Sequence, residues 1–213
     1  MSRRLPIYLL LDTSGSMSGT AINAVNQGLM TLADALMADP RAAETAWISV
    51  ISFDSTARVE VPLTSAFGFN APTLIAQGGT ELGKGLKLLE DQIKKEVVAN
   101  SSENQKGDWK PLIFVMTDGQ PTDNWRSAAD SLKKKKYNII GCAAGDSADE
   151  QMLKELTEIV VKLSDTDAKT MKNFFGWVTQ SAKTMSASVG AGNAQAGVVL
   201  PPPDPNGGIV IVP

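Results

Sequence analysis

The 213-residue sequence predicts a single α/β domain whose doubly wound, mostly parallel sheet has helices on both faces. Short apolar runs alternate along the chain with segments whose apolar residues recur every three or four positions, as strands alternate with helices in such folds. The central runs are also apolar at nearly every position, which is typical of strands covered on both faces. Because 43% of the residues are hydrophobic, a chain of this length can bury a sizeable core.

The first half of the chain contributes three predicted strands and two predicted helices. Leu5–Leu11 and Trp47–Phe53 are the buried strands. Arg58–Val61 alternates polar with apolar residues, which predicts a half-exposed edge strand antiparallel to the strand before it. A loop containing Gly78 and Gly79 precedes the second helix. The helices are indicated by apolar residues three or four positions apart, namely Ile22, Val25, Leu29, Leu32 and Leu36, and then Leu82, Leu86, Leu89, Ile93 and Val97.

The second half continues the alternation after a polar segment, Asn100–Asp108, which is predicted to be a surface loop. A last helix ends near Met185, so we expect the domain to span residues 1–185. The strands predicted in this half are Leu112–Met116, Asn138–Ala143 and Ile159–Leu163, and the helices between them lie around Trp125–Lys135 and Glu150–Leu156.

Residues 186–213 form a tail that is first Gly/Ala-rich and then Pro-rich, with five of the eleven prolines. Ala187–Gly197 has the composition of a linker. Ile209–Val212 is a β-prone apolar run that would favour aggregation if it were exposed. We therefore expect this run to pack against its own domain or to add a strand to a sheet edge, its own or a partner's.

Composition excludes several classes of function. The chain has no histidine, which rules out Ser-His-Asp and Cys-His nucleophiles and any histidine-ligated metal. Its single cysteine, Cys142, rules out a disulfide within the chain and a zinc site built from cysteines. Twenty basic residues against 23 acidic ones give a net charge of −3, so nucleic acid is not an expected partner.

The sequence predicts no membrane span, because it contains no run of about 18 apolar residues. Arg3 and Arg4 before the first apolar run resemble the start of an export signal, but no small-residue cleavage site follows and polar residues begin at Asp12. With one cysteine and no export signal, a cytoplasmic protein is expected.

Hydroxyl and carboxylate side chains stand where predicted strands end and a helix begins. Asp12, Ser14 and Ser16 follow the first strand, Thr80 opens a helix, and Asp118 follows another buried strand. In doubly wound sheets, ligands bind outside the carboxyl ends of the strands. Because alternate residues of an extended segment point to one side, Asp12, Ser14 and Ser16 can face one point. Oxygen ligands suit Mg²⁺, or Mn²⁺ or Ca²⁺, and disfavour zinc and copper. Because only two of the five side chains are carboxylates, a bound cation would keep a position for a carboxylate from another molecule.

This pattern of Asp-x-Ser-x-Ser, a distant Thr, and Thr-Asp-Gly at a strand end resembles the metal-ion-dependent adhesion site of von Willebrand factor type A domains. The resemblance extends over about residues 5–185 and implies a Rossmann-like fold. It also implies that Ser14, Ser16 and Thr80 ligate the cation directly, while Asp12 and Asp118 act mostly through water. The implied function is cation-dependent binding of a protein that donates an acidic side chain, with no catalytic residue.

Two segments resemble a narrower group, the short von Willebrand A proteins of bacterial tellurium-resistance stress clusters. They are Leu-Leu-Leu-Asp-Thr-Ser-Gly-Ser-Met and Phe-Val-Met-Thr-Asp-Gly-Gln-Pro-Thr-Asp. This resemblance implies an adaptor in tellurite resistance or stress response. Its implied partners are a protein kinase and a protein phosphatase of the same gene cluster.

Helix capping is another interpretation of the hydroxyl groups. Ser16, Ser18 or Thr20 could cap the first helix, and Thr80 could cap the second. The two roles are compatible for Thr80, because one hydroxyl oxygen has two lone pairs.

An enzymatic alternative is a metal-dependent phosphohydrolase that uses Asp12 and Asp118. Ser14 stands where an aspartyl phosphatase would carry its second acid, and two-metal nucleases need more carboxylates. A phosphate-binding loop at Gly78–Gly85 is rejected, because Gly85 replaces the Ser or Thr that should hold Mg²⁺.

Two further features are candidates for contact with a partner. Trp125 lies just beyond Asp118 and is a candidate for the rim of the site, because tryptophan is enriched at interfaces. Lys133–Lys136 is interpreted as a solvated helix end, with a patch for an anionic partner as the alternative.

Overall fold

The computed structural model describes residues 3–99, 107–190 and 200–212, which form a seven-stranded sheet flanked by helices. Most of the predicted loop at Asn100–Asp108 therefore lies outside the described residues. The strands are β1 (Leu5–Asp12), β2 (Ala46–Phe53), β3 (Ala57–Ser65), β4 (Leu112–Thr117), β5 (Asn138–Ala144), β6 (Ile159–Leu163) and β7 (Ile209–Val212), and the helices are α1 (Thr20–Met37), α2 (Pro40–Thr45), α3 (Leu82–Glu96), α4 (Arg126–Lys134), α5 (Glu150–Leu156) and α6 (Ala168–Gly190).

The strand order is β3-β2-β1-β4-β5-β6-β7, with β1 near the centre. The five strands from β2 to β6 in this order pair in parallel, which confirms the predicted α/β class. The predicted antiparallel edge strand is β3, and β7 adds a second antiparallel strand at the opposite edge. Strands β2 and β3 lie on one side of β1, and strands β4 to β7 lie on the other, so the strand order reverses between β1 and β4. In sheets of this kind, ligands bind at the point of reversal.

Two apolar layers cover the two faces of the sheet. Alternate residues of β1 belong to different layers: Leu9 and Leu11 face α1 and α6, whereas Tyr8 and Leu10 face the side of α3, α4 and α5. All four are buried, which explains why the first apolar run shows no alternation in its sequence.

Helices α1 and α6 cross closely at a glycine. A Cβ placed on Gly28 would come within 2.0 Å of the ring of Phe175, which is completely buried. Phe175 in turn packs edge-on against Phe174, with ring centroids 5.3 Å apart. The crossing therefore depends on the missing side chain at position 28.

The C-terminal segment folds back onto its own domain. Helix α6 continues to Gly190, past the expected end at Met185, so the first residues of the predicted linker are helical, and residues 191–199 lie outside the described part. From residue 200 the chain packs along α6, where the Trp177 indole donates a hydrogen bond of 2.8 Å to the Pro201 carbonyl. Strand β7 then pairs with β6, which confirms the expectation that Ile209–Val212 adds to a sheet edge.

Among the described residues, no helix combines the length and the apolar character that a membrane crossing requires.

Candidate metal centre

Three loops meet at the carboxyl end of the sheet, and backbone hydrogen bonds join them. The loop after β1 donates from the Gly15 amide to the Gly78 carbonyl at 3.0 Å, and the Thr13 carbonyl accepts from the Gln77 amide at 2.7 Å. The Thr13 amide also donates to the carbonyl of Phe53, the last residue of β2. The segment that carries Thr80 is thereby held beside the segment that carries the two serines.

Asp12 is anchored at the end of β1 by two hydrogen bonds. Its Oδ1 accepts from the Ser14 amide at 2.8 Å, and its Oδ2 accepts from the Thr117 hydroxyl at 2.6 Å. Only 1% of Asp12 is exposed. Thr117 was not predicted as a site residue, although a hydroxyl on the last residue of a strand, directly before Asp118, is the kind of signal that could have identified it.

The two serines connect Asp12 to Asp118. The hydroxyl oxygens of Ser14 and Ser16 lie 3.0 Å apart, and the Ser16 hydroxyl donates to Asp118 Oδ1 at 2.8 Å. Four of the five candidate residues therefore form one continuous polar cluster. A hydroxyl has one proton and two lone pairs, so donation to a carboxylate leaves its oxygen able to ligate a cation.

Thr80 lies beside this cluster without bonding to it. Its Oγ1 is 3.9 Å from the position that a Cβ at Gly119 would occupy. Its backbone carbonyl accepts from the Thr122 amide at 2.9 Å, which ties it to the loop after Asp118. Within the described part of the chain, the Thr80 hydroxyl has no hydrogen-bond partner, so it is available to a ligand.

The structure contradicts the capping interpretation. The residue that caps α1 is Gly19, the residue that caps α3 is Glu81, and neither cap is made by a side chain. The hydroxyls of Ser16 and Thr80 are therefore not used to satisfy helix ends.

Two backbone amides in the first turn of α3 donate hydrogen bonds to a side chain from a different loop. The carboxylate of Asp123 accepts from the amides of Gly83 and Lys84 at 3.0 and 3.1 Å. Asp123 follows β4, as Asp118 does, so this contact joins the loop of Asp118 to the helix that begins just after Thr80. This supporting role of Asp123 was not predicted.

The structure corrects the prediction that Trp125 lines the rim. Only 4% of this residue is exposed, and its side chain belongs to the apolar layer beneath α3 and α4. Gly83 permits this burial, because a Cβ there would lie 2.9 Å from the Trp125 Cα. The Arg126 guanidinium lies 5.0 Å from the centre of the indole ring.

Burial raises the pKa of both carboxyl groups above the ordinary value. For Asp12 the hydrogen bonds from Thr117 and Ser14 oppose this rise, and for Asp118 the bond from Ser16 opposes it. Two partly desolvated carboxylates close together are stabilised by a nearby positive charge.

The donor set fits a hard divalent cation. The cluster offers hydroxyl and carboxylate oxygens, which are ligands that Mg²⁺, Mn²⁺ and Ca²⁺ accept. Within residues 3–99, 107–190 and 200–212, no group of three or more acidic, histidine or cysteine side chains is arranged to hold a metal. A cation at this site would therefore rely on neutral hydroxyl ligands, with Asp12 and Asp118 as the two carboxylates of the donor set, and its charge would be only partly neutralised.

A polar cleft of about 370 Å³ opens beside the cluster. Ser16 and Asp118 form one side of it, and the loops after β5 and β6 form the other, with Asp146, Asp165 and Thr166 among the lining residues. The cluster is thus reachable from outside the molecule.

Comparison with known proteins agrees with this architecture. The family model described as the von Willebrand factor type A domain matches residues 7–176. The chain belongs to this family. Von Willebrand A domains commonly mediate metal-dependent protein interactions and are generally interaction modules.

Three relatives illustrate the range of the similarity. The uncharacterized protein sll0103 of Synechocystis is 34% identical over 121 residues, which cover 50% of this chain and 27% of that protein. The von Willebrand factor type A structure from Catenulispora acidiphila superimposes with a TM-score of 0.67 at 19% identity, over 85% of this chain and 43% of that one. Proximal thread matrix protein 1 of the mussel byssus, solved with a zinc-occupied MIDAS motif, gives a TM-score of 0.59 at 16% identity, over 84% of this chain and 48% of that one. At these identities the two structures show the fold alone, and this chain spans less than half of each relative.

Proposed function

We propose that this von Willebrand A domain is a divalent-cation-dependent protein-binding module. In this proposal Ser14, Ser16 and Thr80 hold the ion directly, and Asp12 and Asp118 act mostly through water. The observation that carries the proposal is the polar cluster itself: its hydroxyls cap no helix, and its two carboxylates lie where burial favours a neighbouring positive charge.

The proposed ion is Mg²⁺, with Mn²⁺ or Ca²⁺ as alternatives, because hydroxyl and carboxylate oxygens are hard ligands. When bound, the ion supplies an open coordination position for a carboxylate oxygen. The chain's own residues orient the site: Thr117 and the Ser14 amide hold the Asp12 carboxylate, and Ser16 holds that of Asp118. The zinc in the mussel protein makes Zn²⁺ a necessary comparison in any binding experiment.

The proposed partner is a protein that presents an exposed Asp or Glu. A carboxylate brought to a partly neutralised cation makes a charge-assisted contact, which would make the interaction depend on the metal. The open cleft beside Ser16 and Asp118 provides the access that such a side chain needs.

The narrower proposal is an adaptor of the TerY kind, in a bacterial tellurite-resistance or stress pathway that involves a kinase and a phosphatase. Its support is the likeness of the two segments around Asp12 and Asp118 to proteins of those clusters. A cytoplasmic location belongs to the same proposal.

The test is a pull-down from source-cell lysate with the tagged full chain, in Mg²⁺ and in chelator. Ser14→Ala removes a proposed ligand without leaving an unpaired charge, and Ser18→Ala is the matched control, because Ser18 is an exposed serine of the same loop outside the ligand set. We expect a partner that requires Mg²⁺ and is retained by Ser18→Ala but lost by Ser14→Ala. Titration calorimetry should show Mg²⁺ affinity at least about tenfold weaker in Ser14→Ala.

A partner that is indifferent to both chelator and Ser14→Ala would contradict the proposal. So would phosphate release from p-nitrophenyl phosphate that is lost in Asp12→Ala, because this result would support the phosphohydrolase alternative.

A further inference from the structure

A second cleft, of about 640 Å³, lies at the opposite end of the sheet from the polar cluster. It is bordered by Asn138 and Ile159, the first residues of β5 and β6. Asp12 and Asp118 instead stand at and just after the last residues of β1 and β4. Because these four strands are parallel, the two clefts are at opposite ends of the molecule. We call this second cleft the lysine groove.

The rim of the lysine groove is rich in positive charge. Lys133, Lys136 and Lys154 line it, and Lys134 and Lys135 complete an exposed run of four lysines at the end of α4. In a chain whose net charge is −3, this is a local reversal of sign.

The acidic residues of the lysine groove do not cancel this charge. Glu155 receives two hydrogen bonds from Arg126, at 2.8 and 3.1 Å, so that its charge is already balanced. Glu158 is the other acidic residue that lines the groove. On the basic side, Lys133 is paired with Asp130 at 3.6 Å, and the three lysines that line the groove outnumber its two glutamates.

Lys136 is held in a conformation that favours glycine. Its φ is 53°, and it is the sole non-glycine residue with positive φ in the described part of the chain. Its amide donates to the Lys133 carbonyl at 2.9 Å, which closes the end of α4 in the way that a C-terminal glycine usually does. A lysine at this position costs free energy that a glycine would not, and its side chain lines the lysine groove. A strained backbone at a residue whose side chain lines a cleft points to a function for that side chain.

We infer that the lysine groove binds an acidic protein segment, independently of the cation site. Among the apolar residues that line the groove, Ile139 and Leu156 are buried, whereas Tyr137 is partly exposed and offers its ring to an apolar side chain between the acidic ones. Charge complementarity favours an acidic occupant. A protein segment fits better than nucleic acid, because the net negative charge of the chain opposes the approach of a long polyanion.

The alternative role of these lysines is to offset the dipoles of α4 and α5, whose carboxyl ends meet at the groove. That role is satisfied by Lys133 and Lys134 in the last turn of α4 and Lys154 in that of α5. It does not require a lysine at position 136, which lies beyond the helix.

The experiment measures fluorescence anisotropy of a fluorescein-labelled peptide of alternating glutamate and leucine, titrated with the full chain in chelator. We expect saturable binding that weakens with added salt and is about tenfold weaker in Lys133→Gln/Lys136→Gln. The matched control is Lys169→Gln/Lys172→Gln, which removes two exposed lysines from α6 on the other face of the sheet and should bind as the parent does. Ser14→Ala should also bind the peptide normally.

A single substitution separates function from helix-end stability. Lys136→Gly should raise the melting temperature, because it relieves the left-handed backbone, and should weaken peptide binding about threefold. A higher melting temperature with unchanged peptide binding would overturn the inference. So would the absence of saturable binding, equal binding by the Lys133/Lys136 double variant, or tighter binding of a single-stranded RNA of equal charge.

Discussion

Asp123→Ala tests whether the cation site depends on a contact between two loops. The Asp123 carboxylate accepts from two amides of the first turn of α3, and this turn directly follows Thr80. Loss of a capping side chain costs about 1–2 kcal/mol. For a chain of this size we expect the melting temperature in chelator to fall by about 2–8 °C.

The same substitution should weaken Mg²⁺ binding by about tenfold, which is typical when a group that orients a metal ligand is removed. The reason is geometric: without Asp123, the hydrogen bond between the Thr122 amide and the Thr80 carbonyl is the one that remains, among the described residues, between the Thr80 segment and the loop of Asp118. Titration calorimetry with MgCl₂ measures this effect. Asp123→Asn keeps one acceptor oxygen and should recover part of both losses.

Asp149→Ala is the matched control. Asp149 caps α5 by accepting from the Met152 amide at 2.9 Å, so its removal costs similar stability away from the proposed ligands. We expect a lower melting temperature with unchanged Mg²⁺ affinity. If Asp123→Ala behaves in the same way, Asp123 is only a helix cap and the positioning argument is refuted.

Two substitutions and a deletion give further tests. Gly28→Ala should destabilise the protein by about 2 kcal/mol in chemical denaturation, because its Cβ would enter the ring of Phe175; a loss below about 0.5 kcal/mol would contradict this. Deletion of residues 200–213 should lower the melting temperature, because it removes β7 from the sheet edge; an unchanged value would show that β7 adds no stability. Burial alone would raise the pKa of Asp54, but hydrogen bonds from Arg58 and neighbouring groups hold this pKa below its ordinary value, so the contribution of Asp54 to stability is present above about pH 4 and is lost as the pH falls through the lowered pKa. Asp54→Asn should therefore reduce the loss of stability on acidification below about pH 4, as measured by denaturation at each pH.

The sheet was predictable because its strands carry the two strongest local signals, continuous apolar character and alternation. Leu5–Leu11 and Leu112–Met116 are apolar throughout, and both faces of the sheet are covered, so the prediction and the structure agree within a residue. Helix α2 was missed, since its six residues are too few for a periodic pattern; only Asp39, which caps it, and Pro40 in its first turn indicate it.

Composition was a poorer guide to the C-terminal segment. The Pro-rich composition predicts a tail, but two hydrogen bonds hold this stretch along α6. The Trp177 indole donates to the Pro201 carbonyl, and the Asn173 side-chain amide donates to the Gly207 carbonyl. Long-range hydrogen bonds of this kind leave no periodic signal in a sequence, and only the short run Ile209–Val212 indicated that the segment returns to the sheet.

In the candidate site too, residues with a local sequence signal were predictable and long-range contacts were not. Asp12, Ser14 and Ser16 were identifiable because they follow one strand at alternate positions, and the register of β1 with β4 brings Asp118 to them. The support from Asp123 could not be predicted, because it joins residues forty positions apart. The opposite error occurred for Trp125, because proximity in sequence to Asp118 does not show on which side of the loop a side chain packs.

The two proposed surfaces can act independently, because the length of the sheet separates them. Strand β5 has seven residues, which at about 3.3 Å per residue span roughly 20 Å. This exceeds the Debye length of about 8 Å at physiological ionic strength, so the charge of an occupant at one end is largely screened from the other. Chelator and Ser14→Ala should therefore weaken binding at the cation site and leave the lysine groove unaffected, whereas substitutions of Lys133 and Lys136 should weaken binding at the groove and leave the cation site unaffected. A partner bound at both the cation site and the lysine groove would lose affinity when either site is changed, and the two losses would add. Such a result would identify an adaptor that holds two acidic surfaces at once.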